Sequence, residues 1–157
     1  MQMVTTADGG TGDGPGAESS WTFEVTERDI RRFRQAIGEP LDAQQSETGD
    51  GLKASALFFQ VMAWQDVGPE QLPPDGAPVE ILGGPPQARS MGGASDFTVW
   101  RQVHAGERIL VRSRLTGVES RQGRQGVLHL ISRQTTFTDE AGQEVAREIA
   151  TYLRRAA

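Results

Sequence analysis

The chain has no cysteine. Disulfides, thiolate zinc sites and cysteine nucleophiles are therefore excluded. Lysine is nearly missing as well: Lys53 is the only one among 16 basic residues. There are two histidines, His104 and His129. A histidine-based mechanism thus has two candidates, and no histidine pair stands at metal-ligand spacing, so no metal site is expected. No apolar run approaches the ~20 residues that a membrane-crossing helix needs. The opening stretch MQMVTTADGGTGDGPGAESS has neither a basic start nor an apolar centre, so it does not read as a signal peptide, and a cytoplasmic location is expected. A formal net charge of -5 argues against a nucleic-acid partner.

What remains suits one soluble domain. The 157 residues suffice for a single core, and 36% of them are hydrophobic. Residues 1–20 are mostly Gly, Ser, Thr and Asp with little to bury, and read as a disordered tail ahead of a domain over 21–157. Trp21–Val25 alternates apolar and polar residues, as a short strand does. Thr26 is placed to cap a helix over Glu27–Ile37. Glu27 and Asp29 lie in its first turn, Ile30, Phe33, Arg34 and Ile37 follow at helical spacing, and Gly38 stops it.

Glu39–Lys53 is polar and irregular, a loop long enough to carry function. Ala54–Asp66 is apolar almost all round, which predicts a buried helix. Gly68–Pro86 holds six of the eight prolines and reads as a surface loop with an extended piece at Val79–Leu82. The remainder predicts strands: Asp96–Arg101, Ile109–Glu119, Val127–Thr138 and Glu144–Arg154, with turns at Ala105–Glu107, Gln122–Gly126 and Asp139–Gly142. Along the second of these, Ile109, Val111, Ser113 and Leu115 share one face, and Leu110, Arg112 and Arg114 the other. An antiparallel sheet curled around one buried helix satisfies both the apolar helix and the strand run.

Three stretches resemble the MaoC-like hydratases and dehydratases. FEVTERDIRRFRQAIGEP (Phe23–Pro40) is similar to their opening strand and helix. GASDFTVWRQVHAGERILVRSRLTGV (Gly93–Val118) resembles their central strand pair, and LHLISRQTTFTDEAGQEVAREIATYLR (Leu128–Arg154) their closing hairpin. The likeness spans Trp21–Arg154 and is nearest to the N-terminal-type, accessory-subunit domains. It implies an α+β hot-dog fold, a curled antiparallel sheet wrapped around a long central helix and working as a dimer. It also implies chemistry on acyl-CoA or acyl-carrier-protein thioesters, with no cofactor.

Adding water across the double bond of an enoyl thioester requires an acid/base pair and donors for the thioester oxygen. The family's catalytic halves supply an Asp and a His in a G-D-x-N-P-x-H turn. Here the matching stretch is Gly38-Glu39-Pro40-Leu41-Asp42. Glu39 falls where the acid belongs, the Asn is missing, and Asp42 or nothing stands for the His. Glu39 and Asp42 are therefore either atypical catalytic groups or solvated carboxylates of a helix exit. His104, before Gly106-Glu107, is either an acid/base residue or an exposed turn histidine. Asp96 is either a substrate-facing carboxylate or a turn cap. His129, in mid-strand between Leu128 and Leu130, reads as structural.

Gly92 and Gly93 offer a place where a thioester arm can approach the backbone closely. Phe58, Phe59, Met62 and Trp64 are core residues, and in this fold the same helix walls an acyl channel. Arg89, Arg101, Arg121 and Arg124 are candidates for CoA phosphates or an acidic carrier, or simply solvated charges. The departure from the dyad points to a subunit that shapes an acyl pocket, as a homodimer or beside a catalytic hot-dog partner. The alternatives are a self-sufficient dehydratase or thioesterase with unusual acid/base residues, or a non-enzymatic acyl-binding protein.

Overall fold

The computed structural model describes residues 16–40, 51–64, 69–71, 89–124 and 126–155. Asp42 and Val79–Leu82 lie outside the described residues. Within them, five strands form one antiparallel sheet: β1 (Glu18–Glu24), β2 (Arg89–Val99), β3 (Arg108–Gly123), β4 (Gly126–Thr138) and β5 (Glu144–Arg155), in the spatial order β1-β3-β4-β5-β2. The predicted meander is the β3-β4-β5 centre of that sheet. β1 adds to β3 at one edge and β2 to β5 at the other. The first strand starts at Glu18, three residues before Trp21, because Glu18, Ser19 and Ser20 pair with Arg114, Ser113 and Arg112 of β3. The Asp139–Gly142 turn forms as predicted, the Asp139 amide donating to the Gln143 carbonyl at 2.9 Å.

Helix α1 (Glu27–Ile37) matches its predicted bounds. The Thr26 hydroxyl accepts from the Asp29 amide at 3.1 Å, and Gly38 closes the helix at φ 75°, a left-handed conformation that glycine adopts without Cβ strain. Arg34 points inward from its last turn, is 2% exposed, and donates from Nη2 to the Lys53 carbonyl at 2.5 Å. This bond ties the end of α1 to the strand-like segment Leu52–Lys53, where Lys53 bridges His104.

The expected helix over Ala54–Asp66 is much shorter. Ala54 instead donates its amide to the Val103 carbonyl, Ala56–Phe58 form a 3-10 turn, and α2 covers only Phe59–Met62. Asp66 lies outside the described residues. Nor is the segment buried all round, since Leu57 and Trp64 are exposed. The α+β hot-dog arrangement holds all the same, with a compact plug in place of a long central helix.

That plug fills one half of the concave face. Phe58 meets Phe23 and Phe33 edge-on at 6.1 and 5.6 Å, and Phe59 meets Phe137 at 5.1 Å. The Trp21 indole donates to the Met62 carbonyl at 3.1 Å. Phe58, Phe59 and Met62 have no exposed surface, so each contributes about 1.5–3 kcal/mol by burial alone. Ile109, Val111 and Leu115 point into this face, together with Ser113, as the strand alternation predicted.

Candidate functional site

The other half of the concave face is polar. On β4 the inward positions run Ile131, Arg133, Thr135, Phe137, and on β5 they run Ala146, Glu148, Ala150, Tyr152. The period of two thus carries two opposite charges into the interior beside apolar neighbours. Arg133 and Glu148 are both buried, with Arg133 Nη2 3.7 Å from Glu148 Oε2. Arg133 Nη2 also donates to the Tyr152 hydroxyl at 2.8 Å, and its guanidinium lies 5.1 Å from the centre of that ring. Ser95, on β2, donates from its hydroxyl to Glu148 Oε1 at 2.6 Å. Burial raises the Tyr152 phenol above its ordinary value; Glu148 adds to this, while the Arg133 charge and hydrogen bond oppose it.

A pocket of about 310 Å³ opens onto this cluster, a size at the lower end for small-ligand sites. Its walls are the end of the plug (Gln60, Ala63, Trp64), the β2 stretch Gly92–Ser95, and Arg133, Glu148, Ala150, Thr151 and Tyr152. Gly93 is the extra residue of a bulge: Gly92 pairs with Tyr152 and Ala94 with Thr151. A Cβ on Gly93 would sit 2.9 Å from the Thr151 carbonyl oxygen, so only glycine lets β2 approach β5 so closely.

Three of the six predicted substrate-binding residues, Trp64, Gly92 and Gly93, therefore line the pocket, while Phe58, Phe59 and Met62 belong to the core beside it. Of the predicted acid/base residues, the three that are described, Glu39, Asp96 and His104, are elsewhere. Asp96 is exposed in mid-strand opposite Ile149, neither a strand-opening turn cap nor on the concave face. Glu39 follows the α1 cap, its Oε2 3.9 Å from Arg34 Nε. His104 sits in the turn before β3, its backbone amide 2.7 Å and its Nδ1 3.3 Å from Glu107 Oε1. Of these only Glu39 and His104 share a neighbourhood, through Arg34 and Lys53.

Glu107 itself belongs to a structural cluster. Arg101 bonds both Glu107 and Asp139 at 2.9 Å. Burial pushes the Glu107 carboxyl up, but the Arg101 and His104 hydrogen bonds outweigh it and hold it below its ordinary range. Arg101 and the turn amides do the same for Asp139. Arg121 pairs with Glu119, Arg124 stands exposed in the β3-β4 turn, and the register brings Arg89, Arg155 and Arg121 into one cross-strand row through Leu128. His129 lies on the hairpin arm, Nδ1 2.9 Å from the Ser120 hydroxyl.

Sequence reasoning missed Ser95, Arg133, Glu148 and Tyr152. The signal was present for two of them: Arg133 and Glu148 occupy the phase of Ile131, Phe137, Ala146 and Ala150, where a solvated charge does not belong.

A five-stranded sheet in this order, curled over a short helical plug, is the hot-dog arrangement. Residues 15–148 match the family model of the FAS1-like dehydratase domain region, and the chain belongs to that family. Its fold resembles the HadBC (3R-hydroxyacyl-ACP dehydratase) complex of Mycobacterium tuberculosis, with a TM-score of 0.63 at 19% identity over 91% of this chain and 98% of that one. It also resembles the MaoC-like dehydratase of Rhodospirillum rubrum, with a TM-score of 0.61 at 17% identity over 91% and 94% of the two chains. The ChsH1-ChsH2 complex of Mycobacterium tuberculosis gives 0.62 at 18% identity over 90% and 89%. No curated protein matches the chain in sequence. Among the described residues no helix is long and apolar enough to cross a membrane.

Proposed function

We propose that this chain is a subunit of an acyl-thioester hydratase or dehydratase, that its pocket receives the acyl part of an acyl-CoA or acyl-carrier-protein thioester, and that a second hot-dog chain supplies the acid/base dyad. Hydration joins the water oxygen to C3 of an enoyl thioester and a proton to C2, so a proton-handling pair must flank the double bond. The observation that carries the reading is the pocket's composition. Among the described residues, its lining includes no histidine, and its one carboxylate, Glu148, is tied to Arg133 and Ser95. Glu39, Asp96 and His104 are not in the lining. Two of the similar structures are complexes, which supports a partnered assembly. A cytoplasmic location fits this role.

The test is turnover of enoyl-CoA by the purified chain alone and mixed with a hot-dog chain that bears G-D-x-N-P-x-H. The expected result is turnover only in the mixture. Full activity of the chain alone would overturn the partner role. Loss of that activity in Glu148→Gln would then favour a self-sufficient enzyme, because Glu148 is the carboxylate that lines the pocket.

A further inference from the structure

The charged floor of the pocket is the least economical part of the fold. A buried Arg–Glu pair loses more to desolvation than its attraction returns unless the remaining polar atoms are bonded. Here they are not. Among the described residues, Arg133 Nε and Glu148 Oε2 are buried with no hydrogen-bond partner, and the Thr135 hydroxyl, opposite Glu148 in register, is in the same state. Arg133 and Glu148 are 5% exposed, and both line the pocket. The cluster thus holds one spare donor and one spare acceptor side by side in a cavity otherwise walled by glycine, alanine, Gln60, Trp64 and Thr151.

The balance of charge narrows what fits. A carboxylate or phosphate satisfies Arg133 but meets Glu148. An ammonium satisfies Glu148 but meets Arg133. A plain hydrocarbon leaves both orphaned, at the full cost of unpaired buried polar groups. A neutral group that both donates and accepts meets the demand, and on an acyl chain that group is a hydroxyl.

We propose that Ser95, Arg133, Glu148 and Tyr152 form a recognition site for a hydroxyl group carried on the acyl chain beyond the carbons that react. The pocket is thereby selective for oxygenated over plain hydrocarbon acyl groups. Glu148 Oε2 accepts from the hydroxyl and Arg133 Nε donates to it. Ser95 holds Glu148 through its other oxygen, and Tyr152 holds Arg133 through Nη2. This deepens the acyl-thioester reading above and rests on it.

The test is isothermal titration of the full chain with octanoyl-CoA and with 4-, 6- and 8-hydroxyoctanoyl-CoA. At least one hydroxylated ligand is expected to bind roughly tenfold tighter than octanoyl-CoA, the scale of a hydrogen bond to a charged group. That gain should vanish in Glu148→Gln. It should vanish also in the double variant Arg133→Met, Glu148→Met, which removes both charges together and so leaves no unpaired charge to unfold the chain. Equal affinity for all four ligands overturns the hydroxyl site and leaves acyl binding standing. So does a hydroxyl preference that survives in both variants, or a loss in Glu148→Gln shared equally by all four, which would assign the cluster to the common pantetheine amides. Binding of none of the four overturns the acyl-thioester reading, and this inference with it.

Discussion

Arg133 and Glu148 face each other at 3.7 Å from neighbouring strands, each side chain 6% exposed, one diagonal step apart in the β4-β5 register. Single and joint removal should therefore differ sharply. Arg133→Met or Glu148→Met alone leaves a buried charge and is expected to cost about 3–5 kcal/mol. The double variant is expected to be near neutral, or more stable than the parent. Urea unfolding of the four proteins measures this as a coupling free energy.

The two glycines of the β2 bulge separate steric from open positions. Gly93→Ala drives a methyl into the Thr151 carbonyl, and is expected to cost about 1–3 kcal/mol and to weaken acyl-ligand binding by shifting β2. Gly92→Ala meets nothing within 4 Å and should stay within about 0.5 kcal/mol of the parent. Thermal unfolding and ligand titration of the two variants check the contrast.

The short plug makes a matched prediction. Phe59 has no exposed surface and packs on Phe137, so Phe59→Ala should cost about 3–5 kcal/mol. Leu57 is 55% exposed, and Leu57→Ala should change stability by less than about 0.5 kcal/mol. A long helix buried on every side would make both substitutions costly, so denaturant midpoints for the pair distinguish the two forms.

Arg101 links stability to acid. Its bonds hold Glu107 and Asp139 below their ordinary range in the folded chain. Their contribution is therefore fully present above the unfolded-state values near pH ~4 and is lost as pH falls through the lower folded values. Arg101→Met should lower the melting temperature at pH 7 and narrow the difference between parent and variant as pH drops below about 4. Melting curves from neutral to acid pH give the result, and a constant gap across the range would contradict it.

Local signals served the fold well. Thr26, Glu27, Asp29 and Gly38 each favour one end of α1 through short-range bonds and dipole effects, and the structure keeps those bounds. The Asp139–Gly142 turn and the strands beside it follow from turn chemistry and alternation. Ala54–Asp66 misled because apolar composition reports burial without reporting helix length. The Ala54 amide is spent on Val103, and that contact spans 49 positions.

The site was legible only in pieces. Gly92, Gly93 and Trp64 were found because small residues and a large aromatic announce themselves singly. Ser95 and Glu148 are 53 positions apart, and Arg133 and Tyr152 are 19 apart. Nothing in either local stretch says that they meet.

By itself, then, the sequence determined the alternation of the three central strands and the bounds of the first helix, since both rest on interactions within a few residues; the lack of cysteine excluded thiol chemistry, and the class came from likeness to a known family. The tertiary structure decided which inward positions share a cavity. Only the curl of the sheet, with β2 laid against β5, removes Arg133 and Glu148 from water together and makes their unpaired atoms a chemical demand.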